Sequence, residues 1–219
     1  MDRSAKNNGT MNLKKLKQAE AAFLASYPLG FEDPEIQVVG KKHNMNRMVG
    51  QVQESFAKAQ FKDPRKIVED MVRYIGRSSM ISLFEKPKFG DLVRSLNSAE
   101  SEALSSGFSN MLHGKQQMGF EMVLSILQSR KLAKWSLLTI LPVYFHPQSE
   151  VFVKPTTAKG VIDYFELSGL TYRPLPSWEF YNGYRRQILD MKSRVSPSLS
   201  PNNAAFTGFL MMSLRTLRP

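Results

Sequence analysis

From Asn12 onward, apolar residues recur every three or four positions, and most runs are bounded by residues that start or stop helices. This repeat constrains the fold more than any other feature. A 3.6-residue period gathers apolar side chains on one stripe of a helix, whereas in a strand it would scatter them over both faces. Asn12 is positioned to cap a helix carrying Leu13, Leu16, Phe23 and Leu24, ended by Pro28 and Gly30. Residues 31–44 read as a loop, with a short strand or helical turn at Ile36–Val39. Asn46 opens a helix with Met48, Val49, Val52 and Phe56 on one side. Asp63-Pro64 is a cap followed by proline in the first turn, and Ile67, Val68, Met71, Val72 and Ile75 form the stripe that follows. A shorter helical piece with Met80, Ile81, Leu83 and Phe84 is expected to run to Pro87.

Asn97 and Glu100 have capping-box spacing ahead of Leu104, Phe108, Met111 and Leu112. Gly114 closes that helix, and another starts at Gln116 with Phe120, Val123, Leu124 and Leu127. From Trp135 the apolar run is continuous and is broken by Pro142. Val143–Phe145 and Val151–Val153 flank a His146-Pro147-Gln148-Ser149 turn, which predicts a small hairpin. Thr156 is read as the cap of a helix with Val161, Ile162 and Phe165, and Ser177 as the start of one with Trp178, Tyr181, Tyr184, Ile188 and Met191. Ser200-Pro201 opens a last helix, apolar nearly all round at Ala204, Phe206, Phe209, Leu210 and Met211, which therefore belongs in the core.

The fold class expected is mainly α: a compact bundle of about eight or nine helices with a β-hairpin element between Val143 and Arg173. Residues 1–11 read as a flexible tail and 12–219 as a single domain, with a possible sub-boundary near 114–134. With 219 residues, 42% hydrophobic and 22% charged, the chain has the composition of a folded domain, not a disordered one.

The absence of cysteine excludes disulfides, a thiolate nucleophile and thiolate-bound metals. His43, His113 and His146 stand 70 and 33 positions apart, far from the three-to-five-residue spacing of a metal pair, so no metal or cofactor is expected. The Gly-x-Ser-x-Gly elbow of hydrolases is missing. Gly107 and Gly114-Lys115 are too widely spaced for a phosphate loop, and Gln116 stands where a magnesium-binding Ser or Thr would be. Asp190-Met191-Lys192 has the form of a metal-dependent nuclease tripeptide but lies on an expected helix, not a strand. No catalytic residue is assigned. The polar first ten residues and the short apolar runs, about 11 residues against the ~20 of a membrane span, lead to the expectation of a cytoplasmic protein without a membrane partner.

Charge is the remaining signal. Thirty Lys and Arg against 19 Asp and Glu give a net charge of +11, which favours polyanions. The excess leans towards residues 110–219, where 13 basic residues face 6 acidic ones, against 17 and 13 in 1–109. Within Val151–Lys192, basic residues alternate with Tyr164, Tyr172, Trp178, Tyr181 and Tyr184, the mixture used for phosphate contact and base stacking. The candidate nucleic-acid-binding set is Lys154, Thr156, Lys159, Arg173, Arg185, Arg186 and Lys192. Thr156 enters as a hydroxyl at a helix start, beside Lys154 and Lys159. The same aromatics at helical spacing also suit an ordinary core. The function expected is non-enzymatic binding of nucleic acid or another polyanion. The alternatives are a helical module for an acidic protein partner and an enzyme whose site forms only in three dimensions.

Overall fold

The computed structural model describes residues 10–41 and 43–217. The expected flexible tail lies outside the described residues except for Thr10 and Met11, as does Lys42 of the Lys41-Lys42-His43 run. Eleven α-helices occur among the described residues: α1 (Leu13–Ser26), α2 (Pro34–Lys41), α3 (Met45–Ser55), α4 (Pro64–Arg77), α5 (Glu85–Arg94), α6 (Ser98–His113), α7 (Gln116–Ser129), α8 (Trp135–Phe145), α9 (Pro155–Tyr164), α10 (Trp178–Ser193) and α11 (Asn203–Leu217). Three 3₁₀ turns, Gly30–Glu32, Lys58–Lys62 and Pro197–Leu199, complete the regular structure, and no strand is present among the described residues.

The helix starts obey local chemistry. The Asn12 side chain accepts from Lys15 N at 3.0 Å, Asp63 accepts from Lys66 N at 3.1 Å, and Asn97 and Glu100 satisfy each other's backbone amides, both at 2.9 Å. Thr10 N donates to Ser168 Oγ at 2.8 Å and Asn12 N to Phe165 O at 2.7 Å, so the chain entering α1 is tied to the end of α9.

α8 lies at the centre, packed on α3, α4, α6 and α7, with every residue from Trp135 to Tyr144 buried. A helix covered on all sides has no polar face to show, which is why this stretch reads as an uninterrupted apolar run. α6 and α7 form the most extensive pair, and α11 packs on α1 and α9. Phe206, Phe209 and Leu210 are fully buried in the same continuous core, so the expected burial of the last helix is found.

Five elements differ from expectation. The hairpin does not form: Pro142 sits inside α8, which runs on to Phe145 and takes Val143 and Tyr144 into the core. Val151–Val153 is buried outside any regular element, and Val153 N donates to Thr139 Oγ1 at 3.0 Å and Val151 N to Tyr181 Oη at 3.4 Å, so side chains satisfy amides that a partner strand would have bonded. Eleven helices replace eight or nine because α2 occupies the expected loop and α8 the apolar run. The Met80–Phe84 piece is a turn, and the helix begins only at Glu85, with Pro87 tolerated in its first turn. Thr156 is not a cap but the second residue of α9, after Pro155. Similarly, α11 starts at Asn203 and not at Pro201, with the Asn202 side chain accepting from Ala205 N at 2.9 Å.

Candidate polyanion interface

Of the seven sequence-predicted residues, five are exposed and two, Arg185 and Lys192, are partly buried. Arg185 turns inward. Its Nη1 donates to Glu150 Oε1 at 2.5 Å and to Gln116 Oε1 at 2.8 Å, and its guanidinium lies over the rings of Trp178 and Tyr181, 5.6 and 5.4 Å from their centroids. Lys192 is half-buried and donates to Gln148 Oε1 at 2.7 Å and Asn203 Oδ1 at 2.8 Å; burial lowers its pKa. Lys154 and Thr156 are exposed at the start of α9, and the ammonium of Lys159 lies 5.1 Å above the ring of Tyr172. Arg173 and Arg186 are exposed and both line an open groove of about 940 Å³ between the 168–177 connection and α10. That groove also carries Glu179, Asp190 and Arg194, and Asp190 holds Arg194 through two 3.0 Å hydrogen bonds, which moderates its positive charge.

The aromatics of this segment serve the core. Tyr181 stacks on Phe120 with planes 18° apart, Tyr184 stacks on Phe180 at 9°, and both tyrosines are fully buried. Tyr181 Oη donates to Glu150 Oε2 at 2.6 Å; burial first, then the neighbouring carboxylate, holds its pKa well above the ordinary phenol value.

A second basic surface lies on α4. Its apolar stripe, Ile67, Val68, Met71, Tyr74 and Ile75, faces the core, so the residues between them must face water. These are Arg65, Lys66, Glu69, Arg73, Gly76 and Arg77. Beneath them the buried Asp70 carboxylate is shared by Lys66 Nζ at 3.5 Å and Arg73 Nη1 at 2.8 Å, the latter an ion pair without hydrogen-bond alignment. Among the described residues Arg65 and Arg77 form no ion pair. Lys58 and Lys62 are exposed on the 3₁₀ turn that packs beside this helix. At the far end of α4, Arg77 lines a notch of about 420 Å³ with His43, Asn44, Arg47, Met48 and Gln51. Arg47 also forms no ion pair among the described residues, and His43 Nδ1 is hydrogen-bonded to Ser79 Oγ at 2.8 Å.

The sequence signal for this stripe is local. Residues 41–77 contain nine Lys and Arg against four Asp and Glu, an excess that disappears when the chain is halved because the flanking stretches are neutral or acidic. The other two histidines are bonded to backbone, His113 Nε2 to Phe56 O at 2.8 Å and His146 Nε2 to Leu112 O at 3.0 Å, and no group of metal-binding side chains gathers among the described residues. No helix among them is long and apolar enough to cross a membrane. The chain matches no family model, no curated protein and no solved structure.

Proposed function

We propose that the protein is a non-enzymatic nucleic-acid-binding protein whose phosphate-contacting surface is the outer face of α4 and the notch at its end. One observation carries this reading: four cations project from one side of a 14-residue helix against a single exposed acid, with Arg65 and Arg77 free of ion pairs among the described residues. At 1.5 Å per residue the helix presents this charge over roughly 20 Å, enough to follow several phosphates. Arg47, Lys58 and Lys62 extend it at both ends. Of the residues expected from sequence, Arg173, Arg186, Lys154, Thr156 and Lys159 are kept as a secondary surface, while Arg185 and Lys192 are assigned to internal bonding.

Salt-dependent binding tests the reading. On a mixed-sequence DNA duplex the affinity should lie near ~10⁻⁴–10⁻⁶ M, and log affinity against log salt should slope at roughly −4 to −5 if about four to six phosphates are neutralised. The double substitution Arg65→Ala plus Arg77→Ala should flatten that slope by about two units. No binding at low salt, or an unchanged slope in the double variant, refutes the assignment.

A further inference from the structure

Leu83 and Phe84 form the tip of the turn between α4 and α5 and are 80% and 81% exposed. Two adjacent large apolar side chains held in water call for an explanation. Local structure does not supply one. Phe84 occupies the N-cap position of α5, where Ser, Thr, Asn or Asp would be preferred, and makes no capping bond. The amide of Glu85 is instead satisfied by Ser82, through Oγ at 3.2 Å and the backbone oxygen at 3.1 Å.

The base of the turn is firmly held. The hydroxyls of buried Ser78 and Tyr144 are hydrogen-bonded at 2.8 Å, Met80 N donates to Ser78 Oγ at 3.2 Å, Ile81 is buried, and Glu85 Oε1 accepts from Ser136 at 2.9 Å. The tip is therefore presented by a fixed support. Cations also precede and follow it along the chain. Arg77 of the notch lies six residues before Leu83, the His43–Ser79 bond ties the notch wall to the turn, and Lys88 is exposed on the first turn of α5.

We infer that Leu83 and Phe84 are the base-contacting element of the nucleic-acid interface, with Phe84 stacking on an unpaired base while Arg47 and Arg77 hold adjacent phosphates. This rests on the reading of α4 as a polyanion surface. The chemistry of this segment selects the occupant: an exposed aromatic ring on the turn that follows Arg77, whose guanidinium forms no ion pair among the described residues, supplies the ring and the cation that single-strand binding uses. An intact duplex keeps its bases stacked and offers Phe84 no face, so unpaired strands are preferred.

Binding of the full chain to a labelled 12-nucleotide mixed-sequence DNA strand, and to the blunt duplex of the same sequence, tests this by fluorescence anisotropy. The single strand should bind about tenfold tighter than the duplex. Phe84→Ala should lose about tenfold on the single strand, while its duplex affinity and salt slope stay at wild-type values. Leu83→Ala serves as a second probe, and both side chains are exposed enough that circular dichroism should be unchanged. Wild-type single-strand affinity in Phe84→Ala, with the salt slope intact, overturns the stacking role but leaves the α4 surface standing. Absence of oligonucleotide binding overturns both. Anionic bilayers also carry phosphates, so pelleting with phosphatidylserine vesicles is the control: Phe84-dependent pelleting alongside Phe84-independent oligonucleotide binding would assign the tip to lipid and overturn the inference.

Discussion

Glu150 and Arg185, one following α8 and the other in the middle of α10, meet as an ion pair withdrawn from solvent, their side chains 5% and 16% exposed. The pair closes a polar network in the core. Glu150 also accepts from Tyr181, its backbone oxygen accepts from Asn203 Nδ2 at 2.8 Å, and Asn203 in turn receives Lys192. Three segments, the chain after α8, α10 and the start of α11, are joined by these bonds.

Removing one partner of such a pair leaves the other charge buried and uncompensated. Arg185→Ala should therefore cost about 3 kcal/mol in urea unfolding, and Glu150→Gln somewhat less, because an amide keeps one acceptor for Tyr181. Neither should alter the salt slope of oligonucleotide binding. A stable Arg185→Ala protein with a flattened slope would return Arg185 to the binding surface.

The crossing of α6 and α7 depends on Gly119. A Cβ placed there would lie 2.4 Å from Gly107 O and 2.4 Å from Met111 N, both backbone atoms that cannot rotate aside. Gly119→Ala must push the helices apart and should cost about 3 kcal/mol. Gly107→Ala, whose Cβ would meet Met122 Cβ at 3.0 Å and Val123 N at 3.3 Å, should cost less, since a shift of a few tenths of an ångström relieves these contacts. Denaturant midpoints of the two variants give the comparison, and equal midpoints would contradict the packing argument.

The buried phenols set the alkaline limit of the fold. Tyr181, Tyr184 and Tyr144 are all raised above the ordinary tyrosine value, with burial the leading cause in each, and Tyr172 is raised by burial as well. A phenol with a folded-state pKa above its unfolded value of about 10 binds more protons when folded at higher pH. Its contribution to stability is thus complete below pH ~10 and is lost as pH rises beyond it. Lys192 works in the opposite sense: its folded pKa is lowered, so stability gains slightly as pH climbs through the interval up to its unfolded value of about 10.4. Four phenols outweigh one ammonium. Above pH ~10 the protein should unfold in a step in which phenolate absorbance and loss of helical circular dichroism coincide. Independent titration of all seven tyrosines near pH 10 with the helices intact would contradict it.

The helical character was legible because periodicity and caps are local. Asn12, Asp63 and the Asn97–Glu100 box can be recognised from spacing alone, and each makes its expected bond. Trp135–Phe145 was ambiguous because a helix buried on all sides has no period to read, and Pro142 looked like a break although a central helix can absorb a missing amide. An inward Arg185 held by an internal acid can be read from its place on the Tyr181–Ile188 face, but the acid itself, Glu150, lies 35 residues away and on no shared helix face, so local spacing points instead to Glu166 or Glu179. The α4 surface was present in the sequence as the polar side of a strongly amphipathic helix, but it becomes a candidate site only when Arg47 and His43, from the preceding segment, are brought beside Arg77.

Two basic surfaces of different character therefore compete for the same ligand, and substitution can rank them. The groove between the 168–177 connection and α10 contains Arg173, Arg186 and Arg194 but also Glu179 and Asp190, and Asp190 already occupies Arg194. A phosphate entering there meets two carboxylates and must compete with an existing pair. On α4 the only exposed acid is Glu69, and the buried acid, Asp70, is shared by two cations that reach solvent. Arg173→Ala plus Arg186→Ala should consequently flatten the salt slope by less than one unit, against about two for Arg65→Ala plus Arg77→Ala. All four positions are exposed and outside the core, so thermal unfolding should move little in either double variant. The reverse ranking, with the larger loss from Arg173 and Arg186, would place the phosphate backbone along α10 and leave α4 as an ordinary solvated helix face.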